Sequence, residues 1–107
     1  MKYNVLFLAD AEKDINEIYE YISSSDSNLN ADKLINKIIK KCEDLESFPN
    51  RGHKLPELEY TEGKDYIEIH YKPYRIIYRI VERAVFIFSI LDGRRDLKDL
   101  LNKRLLR

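Results

Sequence analysis

Arginine is the residue type in this chain best placed to do chemistry. Arg75 and Arg79 alternate with Tyr74, Ile76, Tyr78 and Ile80. Period-two alternation reads as a β-strand, and it sets Arg75 and Arg79 side by side on one face. Arg94 and Arg95 arrive at the end of the next apolar run, between Gly93 and Asp96. A guanidinium is planar, permanently charged and able to bind a carboxylate or phosphate through two parallel hydrogen bonds. The stretch therefore reads as a candidate surface for anionic groups. The plainer alternative is that Arg75 and Arg79 pair with Glu68 or Glu82 on neighbouring strands, and that Arg94 and Arg95 are solvated. Metal chemistry finds little support, because His53, His70 and Cys42 lie far apart in sequence and lack ligand spacing. His53 reads as a loop-surface residue and His70 as a strand residue facing solvent or a partner.

Several elements must position these side chains. Tyr3 to Leu8 reads as a buried strand. Asp10 reads as the N-cap of a helix whose stripe is Ala11, Ile15, Ile18 and Ile22. The run Ser23 to Ser27 breaks it. A second helix starts near Asn30 with Ala31, Leu34, Ile38, Cys42, Leu45 and Phe48 buried, and Pro49 stops it. Cys42 on that stripe is a small core residue. Asn50 to Gly63 is a loop. Three strands follow, Tyr66 to Tyr71, Tyr74 to Val81 and Ala84 to Leu91, joined by turns at Lys72-Pro73 and Glu82-Arg83. Asp96 caps a last helix with Leu97, Leu100, Leu101 and Leu105 on its apolar stripe and Asp99 at the capping-box position. The order β-α-α-β-β-β-α is that of an α+β domain, with helices on one face of a mostly antiparallel sheet and the other face only partly covered.

The 107 residues form one domain, 1–107, with no repeats or linkers. The chain is 44% hydrophobic and 36% charged, as in an ordinary globular domain. No apolar run approaches the ~20 residues that span a bilayer, and the run near the N-terminus is too short for a secretory signal. One cysteine allows no intramolecular disulfide. A cytoplasmic protein is the expectation. Net charge is zero but polarised: residues 1–48 carry 6 Lys+Arg against 10 Asp+Glu, and residues 49–107 carry 13 against 9. The pI near 6.7 is too low for a general nucleic-acid binder.

Four segments, in this order and over nearly the whole chain, resemble toxins of the RelE/ParE superfamily from type II toxin–antitoxin systems. They are DAEKDINEIYEYI (10–22), LESFPNRGHKLPEL (45–58), YRIIYRI (74–80) and ILDGRRD (90–96). The superfamily contains RelE-like endonucleases that cut mRNA in the ribosomal A site and ParE-like plasmid-stabilisation toxins that poison DNA gyrase without cleaving RNA. The proline-Gly-basic loop, the YRIIY strand and the G-R-R-D ending are closer to ParE, although Asp92 stands where ParE-like chains commonly carry histidine. The resemblance implies a growth-inhibiting gyrase binder with Arg51, Arg75, Arg79, Arg94 and Arg95 as target-binding residues and no cofactor or metal. It implies a cognate antitoxin as partner, with promoter DNA reached only through that antitoxin.

The alternative it implies is a metal-independent, ribosome-dependent endoribonuclease. Glu57 would then be the base and Arg75 the phosphate clamp. Cleavage also needs an acid for the leaving oxygen, and the family's terminal His or Tyr is replaced by Leu91, Asp92 and Gly93. The lysine-rich type of site is represented only by Lys54. A degenerate toxin that only binds antitoxin is the remaining reading.

Overall fold

A computed structural model describes residues 2–58 and 65–105. Strand β1 (Asn4–Phe7) runs into helices α1 (Ala9–Ser25) and α2 (Asn28–Glu43). Three single 3-10 turns follow, Asp44–Glu46, Pro49–Arg51 and Pro56–Leu58, with a two-residue strand β2 (His53–Lys54) among them. Then come β3 (Ile67–Tyr71), β4 (Tyr74–Val81), β5 (Ala84–Asp92) and helix α3 (Lys98–Leu105). This is the expected α+β order with β2 added. Two residues are too few to display an alternation, so nothing in the pattern announced β2. Positions 59–64 of the expected loop lie outside the described residues.

The sheet order is β1-β5-β4-β3-β2. β1 lies parallel to β5 and the remaining pairs are antiparallel. Tyr71 opposite Tyr74 leaves Lys72-Pro73, a cis peptide, as a two-residue turn, and Val81 opposite Ala84 leaves Glu82-Arg83. Beyond Ile77, paired with Ser89, the register moves to Tyr78 with Ile87, so Phe88 is an extra residue in β5. This β-bulge lets Ile87 and Ile90 face one core while Phe88 and Leu91 face another.

Helices α1 and α2 supply Ala11, Ile38 and Cys42 to the first core, against Ile76, Tyr78, Val85 and Ile87. Burial pushes the Cys42 thiol up to about 12, so it stays protonated and inert. The second core places Leu97, Leu101 and Leu105 beside Tyr66, Ile77 and Leu91. Helices therefore cover both faces of the sheet, which corrects the expectation of one. An ion pair joins the layers: Asp14 of α1, 3% exposed, accepts from the Ile90 backbone N–H at 3.0 Å and from Arg104 of α3 at 2.7 and 3.0 Å.

The helix termini differ in part from those the sequence signals predict. α1 starts at Ala9 with Leu8 at its N-cap, so Asp10 sits inside the first turn, where a carboxylate favours the helix dipole. Ser27 is the side-chain cap of α2, accepting from Asn30 N–H at 3.0 Å. α2 gives way to a 3-10 turn at Asp44, which turns Leu45 inward and leaves Phe48 66% exposed. α3 starts at Lys98, with the Leu97 carbonyl accepting from the Leu101 N–H, so Asp96 lies one residue before the N-cap position, where it accepts from the Lys98 N–H at 3.2 Å. No helix among the described residues is long and apolar enough to cross a membrane.

Candidate functional site

Strand pairing decides what surrounds Arg75. It sits opposite His70 of β3 and Leu91 of β5. Its Nε and Nη2 donate to the two Glu68 oxygens at 2.7 and 2.9 Å. Nη1 and Nη2 donate to the Glu57 oxygens at 2.6 and 2.7 Å. The guanidinium fork is thus closed on both sides by bidentate carboxylates, which holds it charged above the ordinary arginine value. The hydrogen bond from Arg75 holds the Glu57 carboxyl below the usual carboxylate range. Gly93 makes room for this arrangement. A Cβ there would lie 3.0 Å from Arg75 Cγ and 3.1 Å from the Pro73 carbonyl oxygen.

Glu68 is 1% exposed and belongs to a second constellation. It precedes His70 by two positions on β3, so both side chains share a face, and the β2–β3 register places His53 opposite Glu68. His70 Nε2 lies 2.8 Å from Glu68 Oε1. The His53 and His70 rings meet edge to face with centroids 5.2 Å apart. One ligand atom from each of His53, Glu68 and His70 falls within 4.8 Å of the others. Sequence separation had suggested that the histidines stand apart; the two-residue strand β2 brings them together. Tyr78 fixes that strand's approach by donating to the Pro49 carbonyl at 2.7 Å and accepting from Gly52 N–H at 3.0 Å.

The five arginines do not make one face. Arg75 and Arg79 share a side of β4, but four residues of strand separate them by about 13 Å, so they are not adjacent. Arg79 lies beside Tyr66, its Nε buried without a hydrogen-bond partner among the described residues. Arg51 is exposed in a separate surface cleft with Lys2, Lys40 and Phe48. Arg94, 74% exposed, folds onto Asp92, with Nη2 to Oδ2 at 2.7 Å and its backbone N–H to Oδ1 at 3.0 Å. These bonds hold the Asp92 carboxyl down at about 2. Arg95 is exposed, and its guanidinium has no ion-pair partner among the described residues. Arg94 and Arg95 line a cleft with Tyr21, Ile18, Tyr74 and Ile90. A second cleft contains Glu57, His70, Lys72, Arg75 and Arg94.

A family model described as "ParE toxin of type II toxin-antitoxin system, parDE" matches residues 5–97. Curated protein sequences return no match. Among solved structures, a chain of the chromosomal ParDE system from P. aeruginosa superposes with a TM-score of 0.69 at 18% identity, covering 83% of this chain and 94% of that one. A chain of the RelBE2 toxin–antitoxin complex from Mycobacterium tuberculosis gives 0.64 at 20% identity, covering 86% and 92%. A double mutant of the E. coli toxin RelE in the free state gives 0.62 at 15% identity, covering 100% and 98%. At these identities the superpositions establish a common fold.

Proposed function

Because the chain belongs to the ParE toxin family of type II toxin–antitoxin systems, we propose that it arrests growth by binding DNA gyrase in the cytoplasm, without cleaving RNA. The supporting observation is the closed state of Arg75. A phosphate clamp needs a guanidinium free to meet the phosphate, and four of the five N–H donors of this one are taken by Glu57 and Glu68. Its partner Glu57 is held ionised and weakly basic, unlike a general base poised near the working pH. Asp92, at about 2, carries no proton to give a leaving group at neutral pH.

Target contact falls instead to Arg94 and Arg95. They stand beside the exposed Tyr21, and arginine with tyrosine is the composition of interface hot spots. A cognate antitoxin is the proposed neutralising partner, and promoter DNA is reached through it alone. Strand β1 lies at the sheet edge with Leu6 exposed. Such an edge accepts an added strand from a segment that folds on binding.

The test is toxicity on induction without antitoxin. Arg94→Ala/Arg95→Glu should abolish growth arrest while circular dichroism stays unchanged and the thermal midpoint falls only slightly, through loss of the solvated Arg94–Asp92 pair; full toxicity in a folded double variant contradicts the assignment. RNA cleavage keeps one observation in its favour, since His70 shares a cleft with Arg75, Lys72 and Glu57. On that reading Glu57→Gln and His70→Ala lose toxicity, whereas gyrase binding leaves both toxic.

A further inference from the structure

We propose that His53, Glu68 and His70 form an inter-strand binding site for a divalent transition-metal ion that prefers imidazole ligands, zinc above all. Two neutral imidazoles and one carboxylate are the donor set of three-ligand zinc sites that keep a fourth position open. All three side chains project from the same face of the sheet, His53 across the ladder from Glu68 and His70 two residues beyond it. Their ligand atoms lie within 4.8 Å of one another. A tetrahedral ion about 2.1 Å from each ligand needs them roughly 3.4 Å apart. Ring rotations at the two histidines, both exposed, would close that gap.

Three features make this more than proximity. Glu68 is buried and rigid, held by Arg75 through two hydrogen bonds, so its carboxylate is oriented the way outer-shell partners orient metal ligands. The inner groups Glu57, Glu68 and Arg75 sum to one negative charge, which favours a cation. The nearby Lys72 and Arg94 are exposed at the cleft rim, where solvent screens them. Finally, the geometry is held by a specific device. The Tyr78 hydroxyl anchors Pro49 and Gly52, and Gly52 has no room for a Cβ, which would lie 2.6 Å from that hydroxyl and 2.8 Å from the Glu68 carbonyl oxygen. The next residue is His53.

The bound ion replaces the contact between His70 and Glu68 and ties the edge strand β2 to β3. It thereby fixes the loop that carries Arg51 and Glu57. The proposal is independent of which target the toxin reaches.

The full-length chain is titrated with Co2+ and Zn2+ in chelator-free buffer. The expected result is one equivalent bound, visible absorption bands of tetrahedral Co2+ that Zn2+ displaces, and a thermal midpoint several degrees higher with zinc. His53→Ala and His70→Ala, both surface truncations, should each weaken binding at least 100-fold and abolish the bands. His70→Cys should retain the ion and add a thiolate-to-cobalt band. Absence of binding at micromolar metal overturns the proposal, and so does unchanged affinity in both alanine variants, which places the ion elsewhere.

Discussion

At the scale of single residues, Arg75 is a structural keystone. It neutralises Glu68, which has almost no contact with solvent. Removing one partner of a buried pair costs about 3–5 kcal/mol, because the remaining charge is left unpaired. Arg75→Met is therefore expected to lose roughly that much stability in urea denaturation. Glu57→Gln keeps the Arg75–Glu68 pair and the shape, and should cost only about 1 kcal/mol. Two carboxylates also give the stability a dependence on pH. The folded values of Glu57 and Asp92 are lowered, so their stabilisation is complete above the ordinary carboxylate range and is lost as pH falls. For Asp92 the window runs from 3.8 down to about 2. Asp92→Asn should flatten the stability-versus-pH curve there, as followed by thermal midpoint. The effect is small and shrinks with added salt, because the pair is solvated.

At the scale of elements, two connections carry the site. The first is the Pro49–Lys54 approach to the sheet. Gly52→Ala drives a Cβ against the Tyr78 hydroxyl and the Glu68 backbone, so β2 should peel away. Faster amide exchange at 53–54 and 67–68 is the expected signature, with exchange in α1 unchanged. The second is the Asp14–Arg104 ion pair that holds α3 over the sheet. Arg104→Ala leaves Asp14 buried with only the Ile90 N–H, and should cost on the order of 3 kcal/mol, with α3 losing exchange protection first. These connections also mark where sequence reading stopped. Strand alternation and helical stripes located β3, β4, β5 and both long helices to within a few residues, because those signals are local. Strand β2 was invisible, since its pairing with β3 is set by a tyrosine hydroxyl 26 residues from Gly52. The meeting of His53 with His70 followed from that register and was equally hidden. The second core was misjudged for a related reason: α3 is apolar on one stripe, but nothing in its spacing says which sheet face it meets. Arg75 with Glu68 was legible as a cross-strand pair, whereas the second clamp by Glu57 comes from a loop and was not.

At the scale of the whole molecule, the helical hairpin of the acidic first half packs on strands of the basic second half. Two exposed arginines, Arg94 and Arg95, border the cleft between α1 and the end of β5. The charge that a nuclease would use is internal and already paired, while the charge that a protein target would meet is external. The proposed division between gyrase binding and RNA cleavage is most directly tested by pulse labelling. Thymidine and methionine incorporation are compared in the first minutes after induction of the chain without antitoxin, alongside the Glu57→Gln variant. Gyrase as target requires thymidine incorporation to fall first, with the same order and extent in Glu57→Gln. An earlier fall in methionine incorporation, abolished by Glu57→Gln, would contradict it and identify the chain as a ribosome-dependent nuclease.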